Sequence, residues 1–188
     1  MNKKLIYSLI FIKILILIKL YSYQRYYTLL PSLPIHPNNN KESNIVLKLS
    51  NNRNQNDIDF FHLTNKSVSP AFLPYVNESL SDLDNIITDP FIVNIILLLK
   101  NIFNRARPYQ INKNINYIYT KTGLTPSYPA GHAFQAYYLA YKLSFKYPKN
   151  KKLFFEIAKK CDDCRVKAGI HYPSDGEFSK NIINFYFN

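Results

Sequence analysis

Glycine is scarce in this chain, with 4 among 188 residues. Runs of alternating polar and apolar residues bounded by turn signals are missing as well. Together these gaps exclude a β-rich fold and make the position of each glycine informative. Cysteine is limited to Cys161 and Cys164. A Cys-x-x-Cys pair can be a redox pair or half of a metal site, but no second Cys or Cys/His pair stands at zinc spacing. On a helix the two thiols lie one turn apart and have no need to bond, so they are read as reduced and say nothing of compartment. Acidic residues are half as many as basic ones, 12 against 24, which leaves a net charge of +12. That balance favours phosphate esters, anionic lipid or nucleic acid as partners. No nucleic-acid-binding motif accompanies the charge, so nucleic acid is set aside.

Long apolar runs are also few. The longest internal one, Ile92 to Leu99, is interrupted by Asn94 and falls short of the ~20 residues that span a bilayer. The part of the chain beyond residue 57 is therefore expected to be soluble or peripheral. At the N-terminus, residues 5–18 are apolar except for Ser8 and Lys13, and they follow Lys3-Lys4. Their length suits the apolar part of a signal peptide, yet Leu20-Tyr21-Ser22-Tyr23 offers no small-x-small cleavage site. Residues 1–23 are read as a hydrophobic signal or anchor segment that places the protein at a membrane or outside it. An amphipathic helix remains the alternative.

Residues 24–57 hold Pro31, Pro34, Pro37 and two asparagine-rich stretches. They read as a linker or surface wrap. From residue 58 to 188 the pattern is helical. Ser81-x-x-Asp84 resembles a capping box. Asp89-Pro90 opens an Ile- and Leu-rich helix over about 90–106 that must stop at Pro108. A third helix is expected from Gly131 to about Phe145, and a fourth from Asn150 to about Ala168 with Gly169 as its stop. A last helix starts at Pro173. The fold class is all-α, a helical bundle.

Three segments carry chemistry: Lys100-x6-Arg107-Pro108, Pro129-Ala130-Gly131-His132, and Arg165-x5-His171-x3-Asp175. Lys100 and Arg107, seven residues apart, would lie on nearly one face of a helix about 10 Å apart along its axis and converge on one anion. Taken alone they read as two solvated basic residues, but the helix around them is apolar. Gly131 and His132 sit where a helix begins, and unpaired N–H groups with a positive dipole end favour phosphate there. Asp175, four residues after His171, can accept the Nδ1 proton and leave Nε2 free as a nucleophile. Two of the four histidines fall in these segments, and three of the four glycines, Gly131, Gly169 and Gly176, fall in or beside them.

The order Lys-x6-Arg-Pro, Pro-Ser-Gly-His, Ser-Arg-x5-His-x3-Asp is the signature of the type 2 phosphatidic acid phosphatases, the bacterial class A acid phosphatases and the vanadium-dependent haloperoxidases. This chain resembles it from Lys100 to Asp175. The resemblance implies an all-α bundle of the acid phosphatase/vanadium-dependent haloperoxidase type and a metal-independent phosphomonoesterase acting on a lipid or small soluble phosphate ester. It implies that Lys100, Arg107, Arg165 and the Gly131 N–H bind the phosphate oxygens. His171 would attack phosphorus to give a phosphohistidine, Asp175 would orient His171, and His132 would protonate the leaving group. No cofactor is implied for a phosphatase, whereas a haloperoxidase would hold vanadate in the same pocket. Two positions depart from the pattern: Ala130 replaces the usual Ser, and Cys164 replaces the Ser before Arg165. The first departure removes a hydroxyl contact to the anion and leaves room for a weakened, anion-binding relative.

Overall fold

Local capping chemistry sets most of the helix starts. In the computed structural model, which describes residues 36–187, the first helix α1 spans Asn39–Asn51. The Asn38 side chain opens it by accepting hydrogen bonds from the Asn40 and Lys41 N–H groups at 2.9 and 3.1 Å. Helix α2, Gln55–Leu63, starts with a reciprocal capping box between Asn54 and Asp57. Two short 3-10 turns, Ser69–Ala71 and Leu73–Tyr75, lead to α3, Leu80–Ile87. The box that opens α3 uses Ser79 and Asp82, two residues before the expected Ser81 and Asp84.

Helix α4, Pro90–Phe103, begins as its Asp-Pro start signal predicts, with the Asp89 carboxylate accepting from Phe91 N–H at 2.8 Å. It ends three residues earlier than expected. Asn104 turns left-handed with φ 45°, a conformation that asparagine tolerates better than most residues, and its N–H closes on the Lys100 carbonyl at 2.9 Å. Arg107 therefore lies beyond the helix, before the single-turn helix α5, Pro108–Ile111. Helices α6, Gly131–Lys146, α7, Lys151–Lys167, and α8, Pro173–Phe187, complete the described chain. Among the described residues there are eight α-helices and no strand, as the all-α reading expects.

The stretch expected as linker is corrected in part. Residues 1–35, including the apolar segment 5–18, lie outside the described residues. From Asn39, however, the chain is helical, and Val46 is fully buried against Ile115, Val166 and Tyr172. The polar sequence NNKESNIVLKLSN hides this, because only a narrow apolar stripe is needed when the buried face also carries Glu42, Ser43 and Ser50.

Helix α6 is the hub. It packs most extensively on α7 and next on α8. Ala133, Ala136 and Ala140 let its neighbours approach closely, and Phe134 and Leu139 are fully buried between them. Burying each of those two larger side chains contributes ~1.5–3 kcal/mol. Truncating Leu139 to Ala would cost about 2–5 kcal/mol.

Two glycines are required where α7 turns into α8. Gly169 has φ 77°, and a Cβ there would lie 2.7 Å from Ile115 Cγ2. Gly176 lies flush against the Asp162 carboxyl group, where an added Cβ would stand 1.8 Å from Oδ1. Burial pushes the Asp162 carboxyl up to about 7. Among the described residues no single helix is long and apolar enough to cross a membrane. Leu80–Ile87 and Pro90–Ile111 pass that test of length and composition only as a pair bent by 47°.

Candidate active site

The turn from α7 to α8 brings His171 onto Asp175. Gly169 stops α7, residues 170–172 cross the gap, and Pro173 restarts the helix with Asp175 in its first turn. His171 Nδ1 lies 3.0 Å from Asp175 Oδ2, and both residues are buried. On the other side of the ring, His171 Nε2 lies 2.8 Å from Arg107 Nη1. A guanidinium only donates, so Nε2 accepts and the ring proton sits on Nδ1, donated to Asp175. The tautomer is thus fixed from both sides, with the Nε2 lone pair directed at the arginine. Burial and the neighbouring Arg107 charge hold the His171 pKa well below its ordinary value, against the opposing pull of Asp175.

Asp175 is fully enclosed. Its Oδ2 accepts from His171, from the Tyr172 N–H at 2.9 Å and from the Ser127 hydroxyl. Its Oδ1 accepts from Arg105 Nη1 at 2.7 Å. These partners overcome the burial penalty and hold the carboxyl far below its ordinary value, hence ionised.

Three further cations, Lys100, Arg107 and Arg165, are buried in this part of the bundle. Lys100, in the last turn of α4, donates to the Pro126 carbonyl, and burial beside Arg107 depresses its pKa. Arg107 donates to the carbonyls of Ile170, Thr125 and Thr122 at 2.6, 2.8 and 3.0 Å. Arg165, in the last turn of α7, is fully buried and gives Nη2 to the Thr64 carbonyl and hydroxyl. Its Nε and Nη1 are buried without a hydrogen-bond partner, and its Cζ lies 4.5 Å from the centroid of the Phe61 ring. Buried N–H donors of a cation are costly to leave unmet, so such groups point to an anion.

Lys100, Arg107, Gly131, His132 and His171 line one pocket of about 200 Å³, with Val93, Ile96 and Leu97 of α4 as an apolar wall. The expected Lys100–Arg107 pairing along one helix face is thereby corrected. The two side chains reach a common pocket because the chain turns back at Asn104, not because they share a helix. Arg165 is not among the lining residues, but it is the strongest charged influence on His132. His132 Nε2 lies 3.0 Å from the Asn65 carbonyl, so the proton is on Nε2. Burial and the surrounding cations push its pKa down to about 3.

Ala130 occupies the N-cap of α6, has no side-chain oxygen, and is fully buried. Cys161 and Cys164 are free and buried, and burial pushes both thiols upward, as the reduced reading expects. Among the described residues no three His, Cys, Asp or Glu side chains converge as metal ligands would.

Sequence reasoning missed Glu42, Arg105, Ser127 and Ser174. A signal existed for Arg105, which stands two residues before Arg107 in a largely apolar stretch. For Glu42, 63 residues away, none did.

The helical bundle thus brings Lys100, Arg107, His132 and an Asp175-oriented His171 to one small pocket. Residues 85–180 match the PAP2 superfamily, over half of the chain, and the protein belongs to that superfamily. The match brings with it a function of the phosphatase or haloperoxidase type in general. No curated protein matches the chain.

Proposed function

We propose that this protein is a metal-independent phosphomonoesterase that works through a phosphohistidine at His171. The observation that carries the reading is the doubly fixed imidazole. Asp175 accepts the hydrogen bond from Nδ1–H and Arg107 caps the Nε2 lone pair. An incoming phosphoryl group draws Arg107 onto its oxygens and uncovers Nε2 for attack. The Nε2–P bond forms as the P–O bond to the leaving group breaks. Lys100, Arg107, Arg165 and the Gly131 N–H hold the equatorial oxygens, and Asp175 supports the imidazolium that develops. His132 gives its proton to the leaving alkoxide, then takes one from the water that attacks phosphorus and cleaves the P–N bond.

His132 is neutral, since burial and the surrounding cations push its pKa down to about 3. A bound phosphate dianion cancels much of the surrounding positive charge and raises that pKa toward the working range. The apolar wall of Val93, Ile96 and Leu97 favours an ester with an apolar leaving group, as in a lipid phosphate, over a strongly hydrated one. Vanadate, a mimic of the five-coordinate phosphorus, should bind the same cations.

Phosphate release from soluble and lipid phosphomonoesters, with EDTA present and His171→Ala as control, tests the reading. Turnover that resists EDTA and disappears in the variant supports it. Halide oxidation by peroxide only after vanadate is added, without phosphate release, would overturn it.

A further inference from the structure

Behind the dyad lies a fourth cation with a different role. Arg105 is fully buried, and all five of its N–H donors are engaged. Its Nη1 bonds Asp175 Oδ1 and Ser174 Oγ, both at 2.7 Å. Its Nη2 bonds Glu42 Oε2 at 2.6 Å and the Pro37 carbonyl at 3.1 Å, and its Nε bonds Asn39 Oδ1 at 2.9 Å. The guanidinium also lies 3.9 Å from the centroid of the Tyr172 ring, beside His171. Glu42 makes further contacts to the start of α8, accepting from Ser174 N–H at 3.1 Å and from Ser174 Oγ at 2.6 Å.

We propose that Glu42 and Arg105 are positioning residues of the site, which together fix Asp175 and hence His171, so that α1 is part of the catalytic apparatus although it lies outside the matched family region. The inference rests on the phosphatase reading for its kinetic consequence only. Two physical effects support it. Arg105 in its fork geometry leaves Asp175 one orientation, in which Oδ2 faces Nδ1. Glu42 draws part of the Arg105 charge to itself, so Asp175 keeps enough negative charge to stabilise an imidazolium. Without Glu42, Arg105 and Asp175 would neutralise each other. The charged groups that face His171 are Arg107, Lys100 and Asp175, and Glu42 acts on only the last of them. Three Arg105 partners, Pro37, Asn39 and Glu42, come from α1 and the residues just before it, which ties that helix to the dyad.

The test uses the full chain and the variants Glu42→Gln and Arg105→Lys. The His171 imidazole is followed by nitrogen-15 NMR, assigned by its loss in His171→Ala, and phosphate release and vanadate affinity are measured alongside. In Glu42→Gln the His171 Nδ1 proton is expected to move upfield as its bond to Asp175 weakens. The expected kcat falls at least about tenfold, with vanadate affinity within about twofold, because the anion-facing cations are untouched. Arg105→Lys is expected not to restore the wild-type signal, since an ammonium cannot span Glu42 and Asp175.

An unchanged His171 signal and kcat in Glu42→Gln, with only a lower Tm, would make Glu42 a structural cap and overturn the proposal. If the wild type shows no phosphatase activity, the NMR shift still decides the positioning claim. Should Glu42→Gln fail to fold, the double variant Glu42→Gln/Arg105→Met removes both charges together. A His171 signal identical to wild type in that protein would equally overturn the proposal.

Discussion

Arg105 and Arg107 are two residues apart, are both buried, and keep opposite electrostatic company. Arg105 faces two carboxylates, Glu42 and Asp175, and has its charge met within the protein. Arg107 donates to carbonyl oxygens and faces a histidine ring nitrogen, and Arg165 leaves two nitrogens unpaired. The difference separates a back region built of ion pairs from a front region whose cations are held by neutral groups. Burial alone does not mark a functional cation. What marks it is burial without compensation, because a charge held out of water at that cost must be balanced by a ligand.

His171 contacts both regions, through Arg107 and Asp175, so changing it should have the largest effect. His171→Ala is expected to lower phosphate release by ~10⁴-fold or more, as loss of a nucleophile does. Vanadate binding by the front cations should survive. Full activity in the variant would move the nucleophile elsewhere, and lost vanadate binding with a normal Tm would place the ring among the anion ligands instead.

Arginine removal draws the sharpest line between the regions. Arg105→Leu leaves the buried Glu42 and Asp175 without the cation they share and should cost about 3–5 kcal/mol of stability, read by urea denaturation. Arg165→Leu removes a buried charge that no carboxylate balances and should leave stability nearly unchanged or higher. Its cost should appear in binding, where vanadate affinity falls by roughly 10–150-fold, the equivalent of about 1.5–3 kcal/mol for charge-assisted hydrogen bonds. Equal destabilisation by the two variants would erase the distinction.

Proton uptake gives a further test of the front region. Burial, and then the surrounding cations, push the His132 pKa down to about 3. An anion that raises this pKa must bind together with a proton, so affinity rises as pH falls through the liganded pKa and levels off near the unliganded one. Sulfate keeps its charge across this range and serves as the probe. Its affinity, measured by calorimetry between pH 7 and 5, should strengthen by up to about tenfold per pH unit. His132→Ala should flatten that slope. A slope that persists in the variant would assign the proton to His171 or Lys100, whose pKa values are also depressed.

Much of the front region was legible in the sequence because its residues sit in short motifs: Arg107 before a helix-opening Pro108, Gly131 and His132 at a helix start, and His171 four residues before Asp175. Local rules of capping and spacing were enough to place α4, α6, α7 and α8. The back region was not legible, since the Glu42–Arg105 and Ser127–Asp175 bonds join residues 63 and 48 positions apart. Nothing local marks such a partner, and the asparagine-rich run around Glu42 reads as solvent-facing. The same limit misplaced the Lys100–Arg107 geometry, because a left-handed Asn104 is a tertiary choice that asparagine permits but does not announce.

Ala130 lies on the boundary, and restoring its hydroxyl should have the smallest effect. Its N–H donates to the Asp175 carbonyl and its own carbonyl accepts from the Ser179 hydroxyl, both at 3.1 Å, so its backbone belongs to the back region. Only its side chain could reach the front. In Ala130→Ser the new oxygen can accept from the first-turn N–H groups of α6 while the site is empty, adding about 1 kcal/mol of stability. With substrate bound it can turn and donate to a phosphate oxygen, and kcat should rise by up to about tenfold. The two readouts separate the roles. A higher Tm with an unchanged rate would mean that the hydroxyl serves the helix alone. The anion site would then be complete with alanine, its first-turn N–H groups capped by the substrate itself.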